Sequence, residues 1–281
     1  MSQYLLTDEQ VNNAIRDLPV LSKVVSKALD LMDKDDLDFN EIAETLQHDP
    51  GISSRVLKLA NSSFYGLSGQ IASMKEACTV LGIYTLRNIL LSAAALECFP
   101  VDVHAVFDRE ALWLHSFCVA GISKFIARNQ RLDHDAAFTA GLLHDIGKFV
   151  LDSSFPNEFK EVLKHSDQDK YPQYKVEKEV LGIDHSSIGS HLARKWNFPD
   201  VVVSSIASHH DVNEPLSTPI IDVVHIADLI AHELENAQQD GQISLPAEID
   251  SIERLGLTSG QLTEWLPDLL ELQSTSKTLL K

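Results

Sequence analysis

Apolar residues recur along this chain mostly at intervals of three and four, the spacing of one face of an α-helix. Residues 20–32 place five apolar side chains near one such face: Val20, Val24, Ala28, Leu29 and Met32. The same spacing predicts helices over 39–46, 52–61 and 73–97, the last with an interruption at Gly82. No alternating run or hairpin signal of the β type occurs, so the pattern predicts an all-α fold.

The pattern continues beyond Pro100, where we expect a boundary near residue 105. It predicts seven further helices, over 107–129, 134–149, 156–167, 174–181, 184–196, 199–210 and 218–236. A polar stretch with Gly241 and Pro246 then indicates a linker, followed by a small helical tail that Pro267 interrupts. The predicted divisions are 1–105, 106–236 and 237–281.

The composition indicates the class of protein and the cellular compartment. The chain has 281 residues, of which 44% are hydrophobic, as in ordinary globular proteins. No apolar run approaches the ~20 residues of a membrane span, and the N-terminus lacks a signal-like core. Three cysteines form no metal-type cluster and indicate a reducing compartment: Cys78, Cys98 and Cys118. We therefore expect a cytoplasmic protein.

The formal net charge of −18 limits the choice of partners. Such a chain repels nucleic-acid phosphates and anionic lipid, so we expect neither nucleic acid nor membrane as a partner. An anionic small substrate would need metal ions or a local basic group. The acidity is equally typical of a well-solvated surface.

One of the four His-Asp dipeptides stands apart from the others. His144-Asp145 lies in the apolar run GLLHDIGKFV, residues 141–150, whereas His48-Asp49 and His134-Asp135 lie where helices should end or begin. Burying an imidazole beside a carboxylate is costly unless each has a partner, and a metal ion is one such partner. Gly141 and Gly147 would leave space beside the pair.

Further candidate ligands lie on other predicted helices: His115, His185, His209, His210 and Asp228. A helical bundle could bring them all to one interior site. Five imidazoles and two carboxylates exceed the needs of one ion and suit two ions, roughly 3.5–4 Å apart. These donor types suit Fe, Mn or Zn. Lys148, one turn past His144, would place a cation on the same side and could hold an anionic group.

Each candidate also has a simpler interpretation. A histidine on an apolar face is commonly a hydrogen-bonded core residue, and Asp228 could pair with His225 or His232. Lys148 could be a surface residue that extends from an apolar stem. His209 and His210 could form an exposed helix end, where imidazole favours the helix dipole. The residues by themselves leave these alternatives open.

The order of the candidates resembles the HD superfamily of metal-dependent phosphohydrolases. Upstream, DPGISSRVLKLANSSFYG at 49–66 is similar to the HDOD family, a bacterial signalling and output-domain branch of that superfamily. The similarity continues through Ile71, Ser73, Ala77, Leu81-Gly82 and Leu86-Arg87-Asn88. It covers residues 12–235 and implies two packed helical lobes, an N-terminal lobe at 1–105 and an HD-like metal-binding lobe at 106–236.

The resemblance implies a signal-transduction protein that has kept a two-ion site, with Fe or Mn expected rather than Zn. The implied metal ligands are His115, His144, Asp145, His185, His209, His210 and Asp228. Asp145 and Lys148 are the implied catalytic residues. Many HDOD members are regulatory modules that have lost the ligands, whereas this chain has the full set.

The alternative is an active di-metal phosphohydrolase acting on a nucleotide or phosphodiester. The motif LLHDIGK and the pair His209-His210 also resemble the HD-GYP enzymes that hydrolyse cyclic di-GMP. However, DVNEPLSTP follows His210 without a Gly-Tyr-Pro signature, so that substrate does not follow. The expected partners are signalling proteins, and the expected ligand is a phosphate-containing small molecule.

Overall fold

A computed structural model of the chain describes residues 4–277, apart from 19, 35, 66–70, 103–104, 170–171, 212–217, 241–242 and 244–249. Within that part every regular element is a helix and no strand occurs, which confirms the predicted fold class. The chain divides into two compact units, one of residues 1–18 with 101–276 and the other of residues 19–100 with 277–281. The lobe boundary expected near residue 105 stays a prediction.

The described residues of the smaller unit form four α-helices and a short 3-10 helix. They are α2 (Lys23–Met32), α3 (Phe39–Gln47), α4 (Pro50–Ala60), the 3-10 helix Ser63–Tyr65 and α5 (Met74–Cys98). The predicted interruption of α5 is present, because Gly82 has a φ of +74° and the helix kinks there. Helix α5 packs against α2, α3 and α4, so its apolar half forms the centre of this unit.

The larger unit holds the remaining helices of the described part. They are α1 (Asp8–Asp17), α6 (Arg109–Asn129), α7 (His134–Leu143), α8 (Ile146–Ser154), α9 (Pro156–Asp169), α10 (Gln173–Leu181), α11 (His185–Lys195), α12 (Asp200–Ser208), α13 (Pro219–Asp240), α14 (Asp250–Arg254) and α15 (Ser259–Ser276). Helix α6 is central, since α7, α13 and α15 all pack on it. Helices α8 and α12 both pack on α11.

Helix α1 was not predicted, and it groups with the larger unit rather than with the first lobe. It packs on α8 and α11, and Lys195 Nζ donates to the Arg16 carbonyl at 3.1 Å. A local signal for this helix exists in the sequence. Thr7 and Gln10 form a capping box, in which each side chain accepts from the other residue's backbone N–H.

Two His-Asp dipeptides are helix-boundary residues, as predicted. Asp49 is the N-cap of α4, where its side chain accepts from Ile52 N. His134-Asp135 opens α7, whose N-cap is Asp133. The carboxylates of Asp49 and Asp133 satisfy backbone N–H groups that the first turn of a helix leaves without partners.

Loss of the α7 cap provides a stability prediction. The Asp133 carboxylate accepts from Asp135 N at 3.1 Å and Ala136 N at 2.9 Å. Asp133→Ala is expected to lower the free energy of unfolding by about 1 kcal/mol, because these donors lose their acceptor. Urea denaturation measures the change, and Asp133→Asn, which keeps an acceptor oxygen, is the control. Equal stability of the Ala and Asn variants would contradict the capping role.

The C-terminal segment differs from the prediction in one respect. Pro267 does not interrupt the tail, because α15 continues through it. Leu262 and Leu269 are buried on either side of the proline, and this burial offsets the lost backbone hydrogen bond. The predicted linker at 236–246 begins inside α13, and most of the rest of it lies outside the described residues.

Helix α5 is the one described helix with the length and apolar composition of a membrane span, with a mean hydropathy of 1.4 over 18 residues. Residues 88–95 of this helix are buried within the smaller unit. A core helix of a folded protein passes the same test, so this feature is weak evidence for a membrane span.

Candidate metal centre

The pair His144-Asp145 lies at a break between two helices, not inside one helix over 134–149 as predicted. Helix α7 ends at Leu143 and α8 begins at Ile146, and Asp145 has φ −99° and ψ 10° between them. Both side chains are buried, with 1% and 3% exposure. The Asp145 carboxylate makes no capping hydrogen bond to α8. The break therefore directs both polar side chains into the interior.

The two neighbouring glycines serve close helix packing rather than leaving space beside the pair, which corrects the sequence interpretation. A Cβ on Gly147 would lie 1.9 Å from the His185 carbonyl oxygen, so α8 touches the backbone of α11 there. A Cβ on Gly141 would lie 2.7 Å from Ser123 Oγ and 3.0 Å from Ala120 Cα on α6. Only glycine permits these approaches, which bring α11 and α6 against the pair.

One end of the centre forms around Asp145 Oδ1. His185 Nε2 from α11 lies 2.9 Å from this oxygen, and His209 Nε2, just past α12, lies 3.8 Å away. His210 Nε2 approaches His185 Nε2 to 3.1 Å. One donor atom of each of these four residues lies within 4.8 Å of all the others.

The other end forms around Asp228 on α13. Its Oδ1 atom lies 3.1 Å from His115 Nε2 and 3.6 Å from His144 Nε2. His144 Nε2 is also 3.4 Å from Asp145 Oδ2, so this imidazole lies between the two carboxylates. The structure thus brings together all seven residues that the sequence named as ligands.

Hydrogen bonds fix the orientation of the buried imidazoles. His144 Nδ1 donates to the Gly141 carbonyl at 2.8 Å, and His209 Nδ1 donates to the Ile206 carbonyl at 2.9 Å. In each case the bond leaves Nε2 facing the cluster. Metal-binding histidines are commonly oriented in this way by a second hydrogen bond.

Glu177 was missed by the sequence analysis. This fully buried carboxylate accepts from His185 N at 2.7 Å and lies 2.6 Å from His185 Nδ1. It therefore orients His185 as the carbonyls orient the other two rings. A signal existed, because Glu177 shares a helical face with Val180 and Leu181, where an unpaired carboxylate would be costly.

Lys148 is an ion-pair partner of Asp145 rather than a surface residue. Its Nζ donates to Asp145 Oδ2 at 2.6 Å, and its side chain is 15% exposed.

The structure also distinguishes the two histidines that were candidate partners of Asp228. His225 donates to the His209 carbonyl at 2.7 Å, whereas His232 contacts Asp228 at 3.4 Å.

The electrostatics keep both carboxylates ionised. Burial alone would raise the pKa of Asp145, but Lys148, His144 and His185 hold it well below its usual range. The pKa of Asp228 is lowered in the same way, against burial, by the hydrogen-bonded ring of His115 and the nearby ring of His144.

The imidazoles fall into two groups. In the first group, burial is the largest cause of a lowered pKa. The pKa of His209 is lowered to about 3, and the pKa of His210 is lowered well below its usual value. The neighbouring carboxylates outweigh burial elsewhere, raising the pKa of His144 and His185 to about 9 and that of His115 to about 10. Neutral His209 and His210 offer the lone pairs that a cation binds.

Two buried atoms in the described part test whether this donor set fits a cation. His144 Nε2 and Asp145 Oδ1 have no hydrogen-bond partner, although charged groups surround both. Buried polar atoms are nearly always satisfied, so each such atom needs an explanation. Both face the cluster of nitrogen and oxygen donors, and a divalent cation bound there would satisfy both.

Several known proteins resemble this chain in fold and, more distantly, in sequence. The HDOD domain family matches residues 18–212. A structure from Shewanella amazonensis SB2B, named "Putative phosphohydrolase", is 26% identical with a TM-score of 0.76, covering 97% of this chain and 98% of that one. An HDOD domain protein from Geobacter sulfurreducens, 24% identical over 97% of this chain and 98% of its own, has a TM-score of 0.73 and shows the same fold.

Curated relatives match this chain over part of their length. A Treponema pallidum (strain Nichols) protein is 24% identical over 83% of this chain and 46% of its own. Ribonuclease Y of Aquifex aeolicus (strain VF5) is 33% identical over 50% of this chain and 20% of its own. The chain thus spans less than half of either protein. Because the family match covers more than half of the residues, this chain belongs to the HDOD family.

Proposed function

We propose that this HDOD protein is a signal-transduction protein whose buried centre binds two divalent transition-metal ions. The observation that carries the proposal is a cluster of seven donor side chains in which two buried atoms, His144 Nε2 and Asp145 Oδ1, have no hydrogen-bond partner. A purely structural cluster would be expected to satisfy these atoms internally.

The donor set indicates which residues would hold the ions and which metals suit them. Asp145, shared between both ends, would act with His185, His209 and His210 at one end. His115, His144 and Asp228 would act at the other. Imidazole and carboxylate donors without thiolate suit Fe or Mn, and also Zn, and we propose Fe or Mn.

Phosphate-ester hydrolysis is the second candidate, and the position of Lys148 favours it. When bound, two such ions supply Lewis-acid polarisation of a phosphoryl oxygen and acidify water. Lys148 Nζ, held at 2.6 Å from Asp145 Oδ2, places a cation next to the centre, where it would attract an anionic group. The name of the Shewanella relative supports the same chemistry.

The metal proposal is tested by elemental analysis of protein expressed with iron and manganese supplied. The wild type is expected to contain about two equivalents of transition metal. Asp145→Ala should retain well under one, because it removes the carboxylate shared by both ends. Asp17→Ala, a change at an exposed carboxylate, is the matched control and should keep the wild-type content. Circular dichroism establishes that each variant is folded.

The outcomes separate the two candidates. Less than half an equivalent of metal in the wild type would contradict the metal proposal. If metal is present, a screen of nucleotides, phosphodiesters and an RNA oligonucleotide follows, the last because the matched relatives include Ribonuclease Y. Turnover that disappears in Asp145→Ala would favour the hydrolase, and its absence on all substrates would favour the regulatory role.

A further inference from the structure

Asp228 faces more imidazoles than the predicted ligand set accounts for. Besides His115 and His144, a third ring approaches it, and His232 Nε2 lies 3.4 Å from Asp228 Oδ1. We infer that His232 is a further metal ligand at the Asp228 end of the centre. Glu235 is then the positioning residue that directs both His115 and His232 toward Asp228.

The two oxygens of Glu235 contact the two rings. Oε1 lies 2.9 Å from His115 Nδ1, and Oε2 lies 3.5 Å from His232 Nδ1. Each ring therefore has Nδ1 toward Glu235 and Nε2 toward Asp228 Oδ1. A carboxylate on one nitrogen with the other nitrogen directed at the ion is the usual arrangement of a metal-binding histidine. Glu177 and His185 show it at the opposite end of the centre.

Three of these four residues lie on α13, where their spacing brings them together. Asp228, His232 and Glu235 are separated by four and then three residues, so they share one helical face. The rings of His115 and His232 stack with centroids 4.5 Å apart and planes inclined by 27°. Donor atoms of His115, Asp228 and His232 lie within 4.8 Å of one another, close enough to contact one ion.

His232 differs from the other ligands in its exposure. Its side chain is 54% exposed and that of Glu235 is 39% exposed, whereas those of His115 and Asp228 are 7% and 6% exposed. His232 therefore forms the solvent edge of the centre, where a ligand can exchange while the interior donors stay fixed. This role rests on the proposed metal binding, because without a cation His232 would be a surface histidine.

The exposure of His232 permits a direct test by chemical labelling. The metal-free 281-residue protein at pH 7 is treated with diethyl pyrocarbonate, with and without Co²⁺, and labelled histidines are mapped by mass spectrometry. Co²⁺ is expected to protect His232, because a ligated nitrogen cannot react. His134 is the matched control: its side chain is 46% exposed and lies 3.1 Å from Asp135, away from the centre, so its labelling should not change.

Variants measure the contribution of each residue to affinity. His232→Gln and Glu235→Gln are each expected to raise the Kd for Co²⁺ about 10- to 100-fold, while His134→Gln leaves it unchanged. Glu235→Gln should also abolish the protection of His232, because an amide offers one acceptor oxygen instead of two. A merely structural role of Glu235 would not alter that labelling.

The outcomes distinguish this inference from the proposed function. Equal labelling of His232 with and without Co²⁺, together with unchanged affinity of His232→Gln, would overturn the inference. If Asp145→Ala still loses metal in that case, the proposed function stands. If the wild type binds no Co²⁺, both are overturned. Protection of His232 with weakened binding in both variants supports the inference.

Discussion

Gly147→Ala is expected to destabilise the protein by about 3 kcal/mol or more and to weaken metal binding as well. The new Cβ would lie 1.9 Å from the His185 carbonyl oxygen and 2.9 Å from Gly189 N. Both are backbone atoms, so no rotamer change relieves the overlap, and α8 and α11 must move apart. That movement would separate His185 Nε2 from Asp145 Oδ1, which lie 2.9 Å apart in the wild type.

Urea denaturation and Co²⁺ titration of the same preparation measure both effects. Gly260→Ala is the matched control. Gly260 lies in α15, and the atom nearest to its added Cβ would be Thr258 Oγ1, at an unstrained distance of 3.8 Å. Alanine is the better helix former, so this variant should be as stable as the wild type or slightly more so. Wild-type stability of Gly147→Ala would show that α8 and α11 are not in backbone contact.

Arg109→Ala is expected to lower the free energy of unfolding by about 3–5 kcal/mol, because it leaves a buried carboxylate without its ion-pair partner. Arg109 Nε donates to Asp152 Oδ2 at 2.7 Å, and its Nη2 donates to Ser153 Oγ at 2.9 Å. The two side chains are 9% and 1% exposed. The pair joins the start of α6, the helix of His115, to α8, which follows Asp145.

Two comparisons make this result specific to the buried pair. Arg16→Ala breaks an ion pair in which both side chains are 72% exposed, and it should change stability by less than about 1 kcal/mol. The double variant Arg109→Met with Asp152→Leu removes both charges and should recover much of the loss. A double variant as unstable as Arg109→Ala would show that the unpaired charge is not the cause and would point to packing or to the lost bond from Val106 N to Asp152 Oδ1.

Features that depend on interactions within one segment of the chain were predicted better than features that depend on contacts between distant segments. The positions of most helices were predicted well, because three-to-four spacing and local stops such as the Gly82 interruption in α5 act within one segment. That the seven candidate residues would meet was also predicted, because polar residues on apolar faces need partners wherever the chain brings them. Here the family resemblance added the order in which they occur.

Two differences arise where packing overrides local preference. The segment 134–149 has a continuous helical pattern, yet it breaks at His144-Asp145, where both side chains face the interior donors. Pro267 should end a helix by its own chemistry, yet α15 continues, with Leu262 and Leu269 buried around it. In both cases contacts distant in sequence contribute more than the local rule.

The sequence alone determined the helical class, the approximate positions of most helices and the residues that meet in the candidate centre, since these depend on spacing and residue chemistry. Only the tertiary structure decided which residues orient those donors. Glu177 lies eight positions before His185, and Glu235 contacts His115 from a helix more than a hundred residues away. Pairing between helices depends on which faces meet, and the periodicity of a single helix does not contain that information.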